Sequence, residues 1–159
     1  LELKASYMNK MMVQGGLTWQ RSRYKEPEHW SDNPDVAPTR RMFRTPDLYG
    51  YLTATWTPLR PLTVALSATY TGSMPVQHLQ GSGTPVDMLV DTPSFFDAGL
   101  KLTYEVRFLR TACVDLSVGI ANIFNAYQRD FDRGYLRDSG YIYGPMMPRS
   151  LNASVAIHI

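Results

Sequence analysis

The residues most able to do chemistry are three histidines, two acid-rich loops and a lone cysteine. His29, His78 and His158 lie far apart and form no spacing that a zinc or other transition-metal site uses, so no metal centre is expected. His29 and His78 fall in polar segments, where they read as ordinary solvated loop residues, with ligand contact as the alternative. The stretch DFDRG (Asp130, Asp132, Gly134) has the opening spacing of a calcium loop. An EF-hand needs a third oxygen ligand where this segment has glycine, then glycine, then a distant glutamate. Arg129, Arg133 and Arg137 interleave the acids, so local ion pairs are the expected use. EPEHWSDNPD gathers acids with His29, Trp30 and Asp32 between Glu-Pro and Asn-Pro turn signals. It reads as a solvated loop tip, and His29, Trp30, Asp32 and His78 are candidates for touching a ligand. RDSGYIYGP adds Tyr141 and Tyr143, expected to pack against neighbouring loops and also candidates for ligand contact. No serine stands in a recognisable context with a histidine and an acid, so no catalytic residues and no enzyme are expected. Cys113 excludes an intramolecular disulfide framework and a cysteine-rich metal site, and reads as a small, half-buried strand residue.

What must hold those residues is a β architecture. The 159 residues carry a net charge of only +2, with Lys and Arg scattered, which gives no footprint for nucleic acid. No run of eighteen apolar residues exists, so a transmembrane helix is excluded, and no secretory leader opens the sequence. The first residues, LELKASYM, already alternate, as if the chain began within a strand. Mean hydropathy is mildly polar. That does not argue against a transmembrane barrel, in which half of each strand faces water.

Seven segments alternate apolar and polar with period two: about 1–8, 12–24, 47–57, 62–73, 95–108, 112–121 and 149–159. In the clearest, Leu62, Val64, Leu66, Ala68 and Tyr70 oppose Thr63, Ala65, Ser67, Thr69 and Thr71. Short connections (9–11, 58–61, 109–111) alternate with long ones (about 25–46, 74–94 and 122–148). In an up-and-down meander this places every long loop at one end and every tight turn at the other. Outer-membrane barrels have that asymmetry, and soluble domains rarely carry several structureless loops of about twenty residues. Most segments reach the roughly 9–11 residues that a tilted membrane-crossing strand needs. Aromatic residues on the apolar face fall near strand ends: Tyr7, Trp56, Tyr104 and Phe108 toward the tight turns, Trp19 and Tyr70 toward the long loops. Two such girdles suit the two interfaces of a bilayer. The fold class expected is therefore all-β, an antiparallel up-and-down transmembrane β-barrel. Seven is odd, and an isolated sheet would leave two unpaired edges at membrane depth. Residues 1–159 are accordingly expected to be the C-terminal part of a larger barrel.

The last forty or so residues resemble the C-terminal region of TonB-dependent outer-membrane receptors, particularly the Bacteroidetes branch. The resemblance rests on Asn122, Phe124 and Asn125 with Tyr127, then Arg137-Asp138, then Tyr143-Gly144-Pro145, and finally Pro148-Arg149 leading into the alternating last strand. The earlier hairpins agree only in general pattern. Many outer-membrane barrels end in an aromatic residue, whereas this chain ends His158-Ile159.

The resemblance implies a roughly 22-stranded barrel plugged by an N-terminal domain, of which this chain would hold the last seven strands and no plug. It implies import of a scarce nutrient, siderophore-bound iron, haem, cobalamin or a glycan, across the bacterial outer membrane. Energy would come from the TonB complex through a region of the parent N-terminal to this chain. Lipid and lipopolysaccharide would cover the exterior, and no cofactor is implied. Two other readings remain open: a smaller passive barrel or adhesin, and a soluble β-sandwich binding module.

Overall fold

In a computed structural model, described for residues 1–108 and 112–158, the alternating segments hydrogen-bond into one sheet. Its strands are β1 (Glu2–Tyr7), β2 (Met11–Trp19), β5 (Leu48–Leu59), β6 (Leu62–Thr71), β9 (Phe95–Arg107), β10 (Cys113–Ala121) and β11 (Ser150–His158). The remaining elements lie between them: β3 (Arg23–Glu28), β4 (Thr39–Arg41), β7 (Pro75–His78) and β8 (Met88–Asp91). The seven-stranded sheet is an antiparallel meander in the order β1-β2-β5-β6-β9-β10-β11. Among the described residues there is no helix, and none long and apolar enough to cross a membrane.

Register shows why the strands pair as they do. A slip of one residue would exchange the faces, so like must sit opposite like wherever the two faces meet different surroundings. Ala54, Leu66, Leu100, Ile120 and Leu151 form one continuous row across five strands, and Trp56, Val64, Leu102, Val118 and Ala153 form the next. The other face carries Gln14, Thr53 and Ser67 in one row and Thr103, Ser117 and Ser154 in another. Side-chain hydrogen bonds between the main strands lie on this second face. Gln14 Nε2 and the Tyr51 hydroxyl both donate to Glu2, at 2.9 and 2.8 Å, and the Thr103 and Ser117 hydroxyls lie 2.9 Å apart.

Neither face is covered. Leu3, Leu17, Trp19, Tyr104, Val155 and Ile157 are each at least half exposed. A contiguous apolar surface of this extent on a monomeric soluble protein would be an interaction or membrane surface. The buried hydrophobic core is small and sits among the long loops: Val76, Phe95, Tyr141 and Tyr143, with Met74, Val90 and Ala126 packed against it.

Two expectations need correction. The strand expected over 12–24 leaves the sheet after Trp19, where Gln20 turns its side-chain amide to the Pro46 carbonyl (3.2 Å). The chain resumes as β3, whose alternation looked continuous with β2 but which pairs with β4 in a separate two-stranded sheet. The long connections are also not structureless, since β3–β4 and β7–β8 form two-stranded ribbons. These satisfy loop backbone groups that would otherwise need water. The short connection expected at 109–111, and Ile159 at the end of the last strand, lie outside the described residues.

Candidate functional site

All three long connections meet at one end of the sheet, where a hydrogen-bonded cluster joins them. Its centre is Gln128, 1 % exposed, which uses both ends of its amide. Nε2 donates to the Tyr141 carbonyl (3.1 Å), and Oε1 accepts from the Tyr143 amide (3.0 Å). The two tyrosines then converge on one acid: their hydroxyls donate to the two oxygens of Asp130, at 2.7 and 2.5 Å. Two residues on, Asp132 accepts from His78 Nε2 (2.9 Å) and from the Asp138 amide (3.0 Å). His78 in turn stacks on Tyr141, with ring centroids 3.8 Å apart and planes within 2°. The second and third long loops are therefore joined by a stack and a charge-assisted hydrogen bond.

The first loop is tied in by Arg44. Its amide donates to the Pro75 carbonyl (2.9 Å), and its guanidinium donates to the carbonyls of Ile142 (2.8 Å) and Gly140. Ser31 donates to Asp87 (2.5 Å), and Arg41 pairs with Asp91, so the first loop also grips the second. Asp138 completes the frame by accepting from the amides of Leu79 and Gly140, both at 2.8 Å.

Burial works to raise the Asp130 carboxyl, but the hydrogen bonds from Tyr143 and Tyr141 outweigh it and hold it below the ordinary carboxylate range. The Asp138 amide, helped by His78, holds Asp132 low against burial. Burial, then hydrogen bonding to Asp130, pushes the Tyr143 hydroxyl up to about 12 and Tyr141 further still. The signs define a window. Acids depressed by folding contribute stability above their unfolded value of about 4, and lose it as pH falls through the lower folded value. Tyrosines raised by folding contribute fully below their unfolded value of about 10, and lose it as pH climbs through about 12. Amide-exchange protection of residues 128–143 should therefore fall as pH drops below about 4 and fall again as it climbs through about 12. Protection that holds through both of those ranges would contradict the assignment.

Gly144 fits where a side chain would not. Its φ is +79°, and a Cβ there would come within 2.8 Å of the Phe95 ring. Gly144→Ala should destabilise the third loop by about 1–3 kcal/mol through backbone strain and displacement of that ring. Unchanged exchange protection around Tyr143 in the variant would contradict this.

The structure brings some of the expected site residues together and separates others. His78, Tyr141 and Tyr143 meet in the cluster, whereas His29 and Asp32 are exposed in the first loop. Trp30 packs edge-on to Phe43, its indole N–H buried and without an acceptor among the described residues. His78 is not a solvated loop residue, at 7 % exposure. The ion pairs expected within DFDRG are also absent: Asp130 and Asp132 take tyrosine, histidine and amide donors, while Arg129 lies over the Tyr127 ring (5.6 Å). Asp132 is thus turned inward, its side chain 3 % exposed, while Asp130, though held by the two tyrosines, lies at the surface with Arg129, Arg133 and Arg137.

The C-terminal signature residues frame the last strand. Asn122 is 3 % exposed at φ +48°; its Nδ2 donates to the carbonyls of Ala126 (2.9 Å) and Met147 (2.8 Å), and its Oδ1 accepts from the Ala126 amide (2.9 Å). Asn125, at φ +52°, accepts from the Arg149 amide (3.0 Å), setting the entry into β11 just after Pro148. Phe124 packs on Phe96 (5.5 Å), while Arg137, Asp138 and Pro145 belong to the loop itself. Sequence reasoning missed Gln128, Arg44, and the part that Asp130 and Asp132 take in tying the loops together. A lone Gln and a lone Arg in a loop carry no signal, but acids alternating with aromatics before two more tyrosines were a readable one.

No known protein family and no curated protein matches the chain by sequence. Its structure is similar to the crystal structure of the closed form of the ferric-catecholate import receptor Fiu from Escherichia coli K12. The TM-score is 0.65 at 24 % identity, over 99 % of this chain and 20 % of that one. The fold is of the barrel type. The chain spans about a fifth of that receptor's length, at 20 %.

Proposed function

We propose that this chain is the C-terminal stretch of wall and outer loops of a bacterial outer-membrane active-transport receptor. In that reading the seven strands continue into a roughly 22-stranded barrel. A plug fills the lumen, and the TonB complex supplies energy through a region of the parent outside this chain. The cargo is a scarce nutrient: siderophore-bound iron, haem, cobalamin or a glycan. Bacteroidetes-like features of the last forty residues suit the same assignment. The protein is a transporter component with no catalytic step of its own.

The observation that carries the reading is a long antiparallel meander with one continuous apolar face, one hydrogen-bonded polar face, and all its long loops fastened together at one end. A bilayer on one side and a wet lumen on the other suit such a sheet. Likeness to an import receptor over nearly the whole chain supports the same fold. Within this reading the buried cluster of Gln128, His78, Tyr141 and Tyr143 shapes the loops, and the exposed His29, Asp32 and loop arginines meet cargo. The test is uptake by the full-length parent: cells carrying it should gain cargo uptake that vanishes when TonB is deleted. Uptake persisting without TonB would favour a passive barrel and overturn the proposal.

A further inference from the structure

Apolar side chains are also exposed outside the sheet. Phe131 and Ile142 are each 48 % exposed and Met146 is 90 % exposed. All three belong to the long loop between β10 and β11, so a bilayer around the strands does not account for them. With Tyr127, Tyr143 and Pro145 they line a pocket of about 460 Å³, a size at which small-molecule sites occur. Its lining runs from Asn125 to Pro148, so the third loop builds the pocket by itself. The walls are held from behind. Gln128 fixes the Tyr143 amide, Asp130 fixes its hydroxyl, and Asn125 is tied to the Arg149 amide. A preformed pocket of this kind loses little ordering free energy when a ligand enters.

Those same bonds occupy polar atoms on the wall: the Tyr143 hydroxyl donates to Asp130, and Asn125 Oδ1 accepts from Arg149. A sugar carries hydroxyls on every side, and against Phe131, Ile142 and Met146 they would go unpaired at a cost. A flat aromatic ring suits those walls, through offset or edge-on contact with the rings and contact with the methionine sulfur. Charge then selects among aromatic ligands. The Arg129 guanidinium lies over the Tyr127 ring, 5.6 Å from its centroid. Neither Arg129 nor Arg149, the neighbour of Pro148, is in an ion pair among the described residues. The acid on the wall's far side, Asp130, has both oxygens engaged by tyrosine hydroxyls.

We infer that this pocket binds a flat aromatic acid, with the ring among Tyr127, Phe131 and Met146 and the anionic group toward Arg129. This rests on the outer-loop placement proposed above, and names the chemical class of ligand that the third loop recognises.

The full-length protein in amphipol, with its methionine methyl groups labelled with carbon-13, reports on the pocket through Met146, assigned by Met146→Leu. Titration with 2-naphthoate should shift the Met146 signal saturably, through the ring current of the bound naphthalene. Met8, Met11 and Met12, at the tight-turn end, should not move. Phe131→Ala and Arg129→Gln should each weaken binding about threefold or more. The uncharged analogue 2-naphthamide should bind correspondingly more weakly, and maltopentaose should leave Met146 unmoved. Heat-modifiable migration checks that both variants are folded. A Met146 signal that ignores 2-naphthoate, equal binding of 2-naphthamide, full affinity in both variants, or a Met146 shift with maltopentaose would overturn the aromatic-acid site. So would movement of Met8, Met11 and Met12 together with Met146, which marks partition into apolar surface in general. Each of these leaves the import reading standing. The placement is tested separately: Met146→Cys in intact cells should gain labelling by a membrane-impermeant maleimide over the unaltered protein. No gain would overturn the outer-loop placement, and the site with it.

Discussion

Under the proposed membrane placement, Leu100→Arg should destabilise the folded protein by about 2–4 kcal/mol, the cost of a cation near the middle of a lipid-facing wall. Leu100 lies on β9 between Phe96 and Tyr104, in the row with Leu66 and Ile120, farthest from both aromatic girdles. An arginine there cannot reach either interface easily, and its neighbours on both sides are apolar. The matched control is Thr53→Arg on the opposite face, where Gln14 and Ser67 are the cross-strand neighbours. That variant should change stability by less than about 1 kcal/mol, because the new charge stays in water. Urea unfolding of the full-length protein in lipid vesicles measures both. Equal costs for the two variants would mean that the two faces see the same surroundings, which the proposed placement forbids.

Gln128→Leu should release the third long loop while leaving the sheet standing. Leucine has nearly the same size, so the loss is of hydrogen bonds rather than of volume. The Tyr141 carbonyl and Tyr143 amide would both lose their partner in a buried site. Each unsatisfied group costs about 1–3 kcal/mol, so a local loss of about 2–5 kcal/mol is expected. That should raise amide exchange through residues 128–143 and open the loop to protease. Exchange in β9 and β10 should be unchanged, since their ladders do not depend on Gln128. A variant with intact loop protection would show that the apolar contacts of Val76 and Phe95 hold the loop without the amide.

The wall was legible because its physics is local. A two-residue period is repeated seven times, and each strand records which face meets which surroundings. Alternating loop lengths then set the meander, and with it the end at which the loops gather. The end of β2 was not legible: Arg21, Arg23 and Lys25 continue its alternation, and only the competing partner, β4, shows that the chain has left the sheet. The loop cluster was harder still, since its members come from three separate loops far apart in the sequence. His78 and Asp132 meet across 54 positions, and Arg44 and Ile142 across 98. Nothing near His78 in sequence announces that it will be stacked and buried. Asn122 and Asn125 stood out only through the family resemblance, and the structure supplies their reason: left-handed backbone positions that asparagine tolerates well, with side chains that bond the turn.

The most direct test of the two-sided wall is reagent accessibility along β9 in lipid vesicles. Spin labels placed one at a time from Phe96 to Val106 in the full-length protein would be probed with oxygen, which concentrates in lipid, and with a water-soluble nickel chelate. The account predicts two oscillations of period two in opposite phase. Oxygen should be highest at Ala98, Leu100 and Leu102, and nickel highest at Asp97, Lys101 and Thr103. In-phase accessibility to both reagents, or an unchanged pattern in a folded monomer without lipid or detergent, would contradict it.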